Sequence, residues 1–233
     1  MLAGPFVADA NDDAAAAGLV VEVMQRARDL GAQIIRARPD AKRAGPLYRA
    51  ALLEHGFADL GERVEFKAPV AGLPLDDGTP LHWRDLTDVG EAQAAAMLQE
   101  VVVGDPHSCD ENENPRAALA EWLGAPGLTN GPGCVQVGFL EDRAVAFVCA
   151  QVSPKDGWSR ITYLGIVPDL RARGLGTWVH RRGFRMLREQ GGKLYHGGTA
   201  TANAGMLRLF RRHGCEEVMR MFEFEWKAPA STG

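Results

Sequence analysis

Residues 171–176, Arg-Ala-Arg-Gly-Leu-Gly, set the tightest condition on any fold this chain can adopt. They lie between an apolar run, Ile161 to Val167, and a segment of helical character, Thr177 to Gln190. Gly174 and Gly176 let the backbone turn sharply and approach a ligand closely. The N–H groups of such a loop, with the positive end of the following helix dipole, converge on one spot and favour an anion there. The bare pattern R-x-x-G-x-G also fits an ordinary strand-to-helix turn, in a chain with 27 glycines, so the flanking sequence has to decide.

Charge distribution leans toward an anion. Nine arginines fall between Arg171 and Arg212, although the 233-residue chain has a net charge of -4. The net charge argues against a nucleic-acid binder, which normally shows a basic excess. Arg188, Arg211 and Arg212 stand near expected helix C-termini, where they favour the dipole. Four widely spaced cysteines form no C-x-x-C pair and have no histidine at ligand spacing, so they read as buried or free thiols, with no metal site. No apolar run approaches the roughly 20 residues that span a bilayer, and the N-terminus lacks a basic segment followed by an apolar core. The expectation is a cytoplasmic protein with no membrane partner.

Periodicity divides the chain in two. Ala14 to Leu30 and Pro46 to His55 read as helices, and Ala32 to Ala37 and Phe57 to Lys67 as strands. Residues 70–80, rich in Gly, Pro and Asp, read as a linker. Beyond it, 81–86 is a strand, Asp88 an N-cap for a helix to about Val103, and 115–123 a short helix. Cys134 to Leu140 and Ala144 to Gln151 flank Glu141-Asp142-Arg143 as a β-hairpin. After the glycine loop come a helix to Gln190, a strand at 193–199, a helix at 203–213 and a last strand at 218–226. Two stretches end alike: Leu52-Leu-Glu-His-Gly-Phe57 through Pro69, and Phe210-Arg-Arg-His-Gly-Cys215 through Pro229. The N-terminal stretch therefore reads as a diverged half-copy, with Asn11 to Ala17 where the second copy keeps its arginines and glycines.

These residues carry a resemblance. Leu164-Gly165-Ile166-Val167-Pro168-Asp169-Leu170-Arg171-Ala172-Arg173-Gly174-Leu175-Gly176 resembles the acetyl-CoA motif L-x-V-x-P-x-x-R-x-x-G-x-G of the GNAT superfamily of N-acetyltransferases. Downstream, Asn203, Met206, Leu209, Phe210, Gly214 and Cys215 fall on that family's N-x-x-A-x-x-L-Y-x-x-x-G-F pattern. With the half-repeat, the whole chain resembles tandem acetyltransferases of the mycothiol synthase type, with the first domain shortened. The resemblance implies an α/β (α+β) fold, a mixed and mostly antiparallel sheet flanked by helices. Its division is a degenerate, structural half-domain at 1–69, a linker at 70–80, an acetyltransferase domain at 81–228 and a tail at 229–233.

The resemblance also implies a site. Acetyl-CoA would be held by Leu164, Gly165, Ile166 and Val167 along its pantetheine arm, and by Arg171, Ala172, Arg173, Gly174, Leu175, Gly176 and Thr177 at its pyrophosphate, with Asn203 and Phe210 nearby. Asn203 can equally cap its helix. The acceptor would be an amine, on a small molecule or on a peptide or protein, attacked without a metal; pairing of two copies is left open. Two departures stand out. Histone-type members carry a glutamate base on the strand before the loop, where this chain has Arg160, and many carry a tyrosine acid where it has Phe210. Replacement bases are His196, or Asp110, Glu111 and Glu113 in the loop that meets the acceptor in this family. The same departures allow a second reading, a non-catalytic acyl-CoA-binding module.

Overall fold

The computed structural model describes residues 13–42, 44–105 and 114–228. Its elements, in chain order, are α1 (Asp13–Asp29), β1 (Ile34–Ala37), α2 (Pro46–Glu54), β2 (Ala58–Pro69), β3 (His82–Asp85), α3 (Leu86–Val102), α4 (Pro115–Leu123), β4 (Val135–Leu140), β5 (Arg143–Val152), β6 (Trp158–Ile166), α5 (Leu175–Glu189), β7 (Leu194–Ala200), α6 (Ala204–Arg212) and β8 (Glu216–Lys227). The expected mixed, mostly antiparallel sheet flanked by helices is observed. Asp85, rather than Asp88, caps α3, accepting from the N–H groups of Thr87 and Asp88.

Two compact units form, residues 1–65 with 200–202 and 218–233, and residues 66–199 with 203–217. This division differs from a sequence boundary at 70–80. In the first unit β1 pairs antiparallel with β8, from Ile34 opposite Lys227 to Ala37 opposite Phe224, so the C-terminal strand clusters with N-terminal residues. Val20, Met24, Leu52, Phe57, Phe224 and Trp226 make its core. Glu223 is buried there because Arg38 (2.5 Å) and Arg63 (3.4 Å) neutralise it.

In the second unit β3, β4, β5 and β6 run antiparallel in that order, and β7 lies parallel to β6. Side chains alternate across the strands. One face carries Phe147 and Tyr163 against Trp122 of α4, and a Cβ on Gly165 would lie 2.8 Å from Val101 Cβ of α3. The other face receives α5, where a Cβ on Gly183 would lie 2.9 Å from Ile161 Cγ1. The stretch at 70–80 is packed into this unit. Val70, Leu73 and Asp76 are buried; Arg188 donates to the carbonyls of Val70, Ala71 and Leu73, and Arg185 pairs with Asp76 and Asp77.

The element order helix-strand-helix-strand occurs twice, as α1-β1-α2-β2 and as α5-β7-α6-β8. The second helix of each set closes in the same way. Gly56 and Gly214 adopt φ of 83° and 74°, Phe57 N–H reaches Leu52 O, and Cys215 N–H reaches Phe210 O, both about a six-residue Schellman closure.

α5 and the end of α6 bring together two buried histidines, His180 within α5 and His213 at the C-cap of α6. His180 and His213 share a hydrogen bond at 3.1 Å, and His180 Nε2 lies 3.3 Å from the Tyr195 hydroxyl. Burial, with His213 adding to it, holds His180 well below its ordinary value; burial and then Arg181 hold His213 at about 4. Both are neutral in the folded chain at neutral pH. The unfolded chain takes up these protons near pH 6.5 and the folded chain does not, so stability falls as pH drops from about 6.5 toward about 4. Urea midpoints measured across that window should decline with pH, and His213→Leu should flatten the decline.

Candidate functional site

Three register pairs join β6 to β7: Trp158 with Leu194, Ser159 with Tyr195, and Arg160 with His196. Beyond them β6 continues to Ile166, still paired with β5 but no longer with β7. The Ile166 carbonyl is taken by Arg171, but on the β7 side of 161–165 alternate residues keep backbone donors and acceptors without a strand partner, open to a cleft between the strands. A bulge helps it open, because the register shifts between Cys149 and Ala150, with Tyr163 and Ile161 as their partners. The extra residue, Thr162, donates its hydroxyl to Gln151 Oε1 at 2.9 Å.

The cleft runs toward the start of α5. Ala172 has φ of 60° and Gly174 φ of 86°, two left-handed residues that follow an extended Arg171 and turn the chain sharply into α5. Gly174 is the N-cap of α5 and no side chain caps that helix. Its first N–H groups therefore lack the side-chain acceptor that most helices supply. A Cβ at Gly174 would meet nothing within 4 Å, so the loop opens on free space, whereas one at Gly176 would touch Leu209 at 3.4 Å. The arrangement fits a phosphate-bearing ligand: N–H groups and a helix dipole meet at a loop whose Gly174 has no described atom within 4 Å of where a Cβ would stand.

The arginines divide between structure and site. Arg171 donates from Nε to the Ile166 carbonyl (3.1 Å) and from Nη2 to the Val101 carbonyl (2.9 Å), pinning the loop to β6 and α3. Arg182 bonds Gln136 (2.6 Å), and Arg185 and Arg188 hold the 70–77 stretch. Several of the basic residues that suggested an anion field are thus spent on protein partners. Arg173, at the loop itself, is exposed.

Of the other residues singled out by sequence, Asn203 accepts from Met206 N–H at 3.0 Å and caps α6. Phe210 is buried at 1% exposure, stacked on Phe66 with centroids 4.4 Å apart, so its ring offers almost no surface to a ligand. His196 closes the paired part of β6 and β7; its ring lies 5.9 Å from that of Trp158, and burial, then Lys67, lowers its pKa. Glu111, like Cys109, Asp110 and Glu113, lies outside the described residues. Cys134, Cys149 and Cys215 are free and buried, with the thiols of Cys149 and Cys215 pushed up to about 12 by burial. Groups able to hold a metal ion are absent among the described residues. No helix among them is long and apolar enough to cross a membrane.

Sequence reasoning missed Gln151. It is fully buried, its amide donates to the carbonyls of Trp122 (2.7 Å) and Thr129 (3.0 Å), and its oxygen accepts from Arg160 and Thr162. A glutamine inside the apolar run of β5 was the available signal, since a polar group so placed requires partners.

The family model for the acetyltransferase (GNAT) family matches residues 96–215, more than half of the chain. The chain belongs to that family. The fold agrees with solved structures that include a GCN5-related N-acetyltransferase from Sphaerobacter thermophilus (TM-score 0.66, 14% identity, 93% of this chain and 69% of that one). Another, from Kribbella flavida, gives 0.61 at 15% identity over 94% and 78%. A tandem GNAT protein from the clavulanic acid biosynthesis pathway gives 0.61 at 12% identity over 92% and 70%. No curated protein matches the sequence.

Removing the Arg171 clamp should cost stability first. Arg171→Met leaves the Ile166 and Val101 carbonyls without their donor, and we expect a loss of about 1–3 kcal/mol by urea denaturation.

Proposed function

We propose that this chain transfers an acetyl group from acetyl-CoA to a primary amine, by direct attack while both substrates are bound. The carrying observation is the parting of β6 from β7 beside an uncapped helix start, inside the segment that matches the acetyltransferase family. Acetyl-CoA supplies an activated thioester. In this reading the loop N–H groups from Ala172 to Gly176 hold its pyrophosphate, while the Thr177 N–H, singled out by sequence, donates to the Gly174 carbonyl at 3.3 Å. The β7-facing backbone of Leu164, Gly165 and Ile166 binds the pantetheine arm, and its open N–H groups stabilise charge that develops on the carbonyl oxygen. Val167, singled out by sequence, is excluded because its N–H donates to Val145 O (3.0 Å) and its carbonyl accepts from Leu170 (3.1 Å).

Proton handling falls to His196. An alkylamine with pKa near about 10 arrives protonated, so a group must take its proton before attack. His196 is neutral at neutral pH because burial and Lys67 lower its pKa, which leaves it free to accept. The departing thiolate needs little acid help, since a thiol ionises near about 8.5; the buried Phe210 at the usual tyrosine position is compatible with turnover. The half-copy at residues 1–69 acts as scaffold, a reading that the doubled element order supports.

A second reading, a non-catalytic acyl-CoA-binding module, is favoured by Arg160 and Phe210 at positions where relatives keep proton-transfer groups. Calorimetry and thiol release distinguish the two. Acetyl-CoA should bind, and an amine panel should release thiol above background; binding without release supports the module, and no binding at millimolar acetyl-CoA defeats both. Gly174→Glu, which puts bulk and negative charge into the cradle, should abolish binding with circular dichroism unchanged. His196→Gln should slow turnover by about 10² or more with acetyl-CoA affinity retained; an unaltered rate would assign the base elsewhere.

A further inference from the structure

Arg160 is the last residue of β6 to pair with β7, opposite His196, where the cleft begins. Strand alternation puts Trp158, Arg160 and His196 on one face of the sheet. That guanidinium is half-buried. Its Nη2 donates to Gln151 Oε1 at 3.1 Å, while its Nε is sealed from solvent and bonded to nothing. Gln151 is itself fully committed, so it cannot turn to take a second bond from the same side chain.

Arg160 also lacks a counter-ion among the described residues. Burial depresses its pKa, opposed by Cys149 and Glu121. Cys149 is a neutral thiol at neutral pH, with its pKa near 12, and Glu121 is an exposed residue on α4 with no bond to Arg160. Other arginines with a sealed Nε are compensated. Arg49 lies 4.0 Å over the Phe222 ring and pairs with Asp59, and Arg181 lies 5.4 Å over Trp178. Arg182 and Arg185 share the Asp76 carboxylate. Lys67, whose charge helps lower the His196 pKa, has Glu216 at 3.7 Å. An unpaired, partly desolvated guanidinium is costly. It stands at the last β6–β7 pair, where the open backbone edge of β6 begins.

Building on the proposed acetyl transfer, we infer that the acceptor is a small amine that also carries a carboxylate, an amino-acid-like molecule, and that Arg160 receives this carboxylate. With Nε sealed and one Nη2 hydrogen given to Gln151, the carboxylate meets the remaining parallel Nη1–H and Nη2–H donors of the half-buried, planar guanidinium. Pairing there supplies the missing counter-ion and fixes the amine relative to the thioester. A lysine side chain within a peptide has no carboxylate at that distance and is a poor match. Arg160 is thus a specificity residue standing where relatives keep a base, which leaves proton removal to another group.

The test uses the full chain, acetyl-CoA and acceptors in matched sets: an amino acid, its amide, and the amine lacking the carboxyl group. The amino acid should show the highest kcat/KM. Arg160→Gln should raise KM for the amino acid by about 10- to 100-fold and erase its advantage, with the amide and plain amine little changed. Arg160→Lys, which keeps the charge and loses the fork, should recover part of the preference. Acetyl-CoA affinity by calorimetry should be the same in all three proteins, which separates a specificity effect from misfolding. An arm independent of turnover titrates N-acetyl amino acids and their amides into the protein with CoA, where only the acids should bind well. Equal use of all acceptors, a uniform loss in Arg160→Gln, or equal or absent binding of both products overturns the inference. Failure to bind acetyl-CoA instead overturns the transferase reading beneath it.

Discussion

A parallel strand pair that stops after three residues governs the second unit. Once Arg160 and His196 have paired, β6 holds on to β5 alone and exposes one edge of its backbone. Unpaired backbone groups are tolerated only where water or a ligand can reach them, so the parting of the strands is itself the cleft. The bulge at Thr162 and the committed amide of Gln151 hold the strand in that course. The close approach of α3 at Gly165 fixes its far end, and Arg171 ties that end to the loop that begins α5.

Charge in this protein is used in two ways. Arg171, Arg182, Arg185 and Arg188 act as multi-bond clamps, each satisfying carbonyls, a carboxylate or an amide that folding would otherwise strand. At the loop itself the start of α5 has no side-chain cap, and its positive field comes from backbone N–H groups and the helix dipole. Such groups are already oriented and lose little entropy on binding, unlike flexible side chains. Arg160 belongs to neither set: its Nε is buried with no hydrogen-bond partner among the described residues.

Much of the secondary structure was legible from local patterns. The apolar stripes, the proline starts at Pro46 and Pro115 and the glycine stops at Gly56 and Gly214 encode backbone preferences that depend on near neighbours. The repeated Schellman closure was visible as the shared His-Gly pair for the same reason. The reading of 70–80 as a linker went another way. Glycine, proline and aspartate signal irregular backbone, and they cannot say whether distant arginines will bury it, as Arg185 and Arg188 do.

The sequence by itself determined the acetyltransferase family, the glycine loop and the order of elements, because each rests on residue spacing along one stretch of chain. Only the tertiary structure decided what each side chain is spent on. Asn203 became a cap, Phe210 a buried ring and Arg171 a clamp, while Arg160 kept a donor with no partner. Partners drawn from elements far apart in sequence, such as Val101 for Arg171 and Gln151 for Arg160, leave no periodic trace. Which polar groups are satisfied within the protein, and which are left for a ligand, is settled by packing.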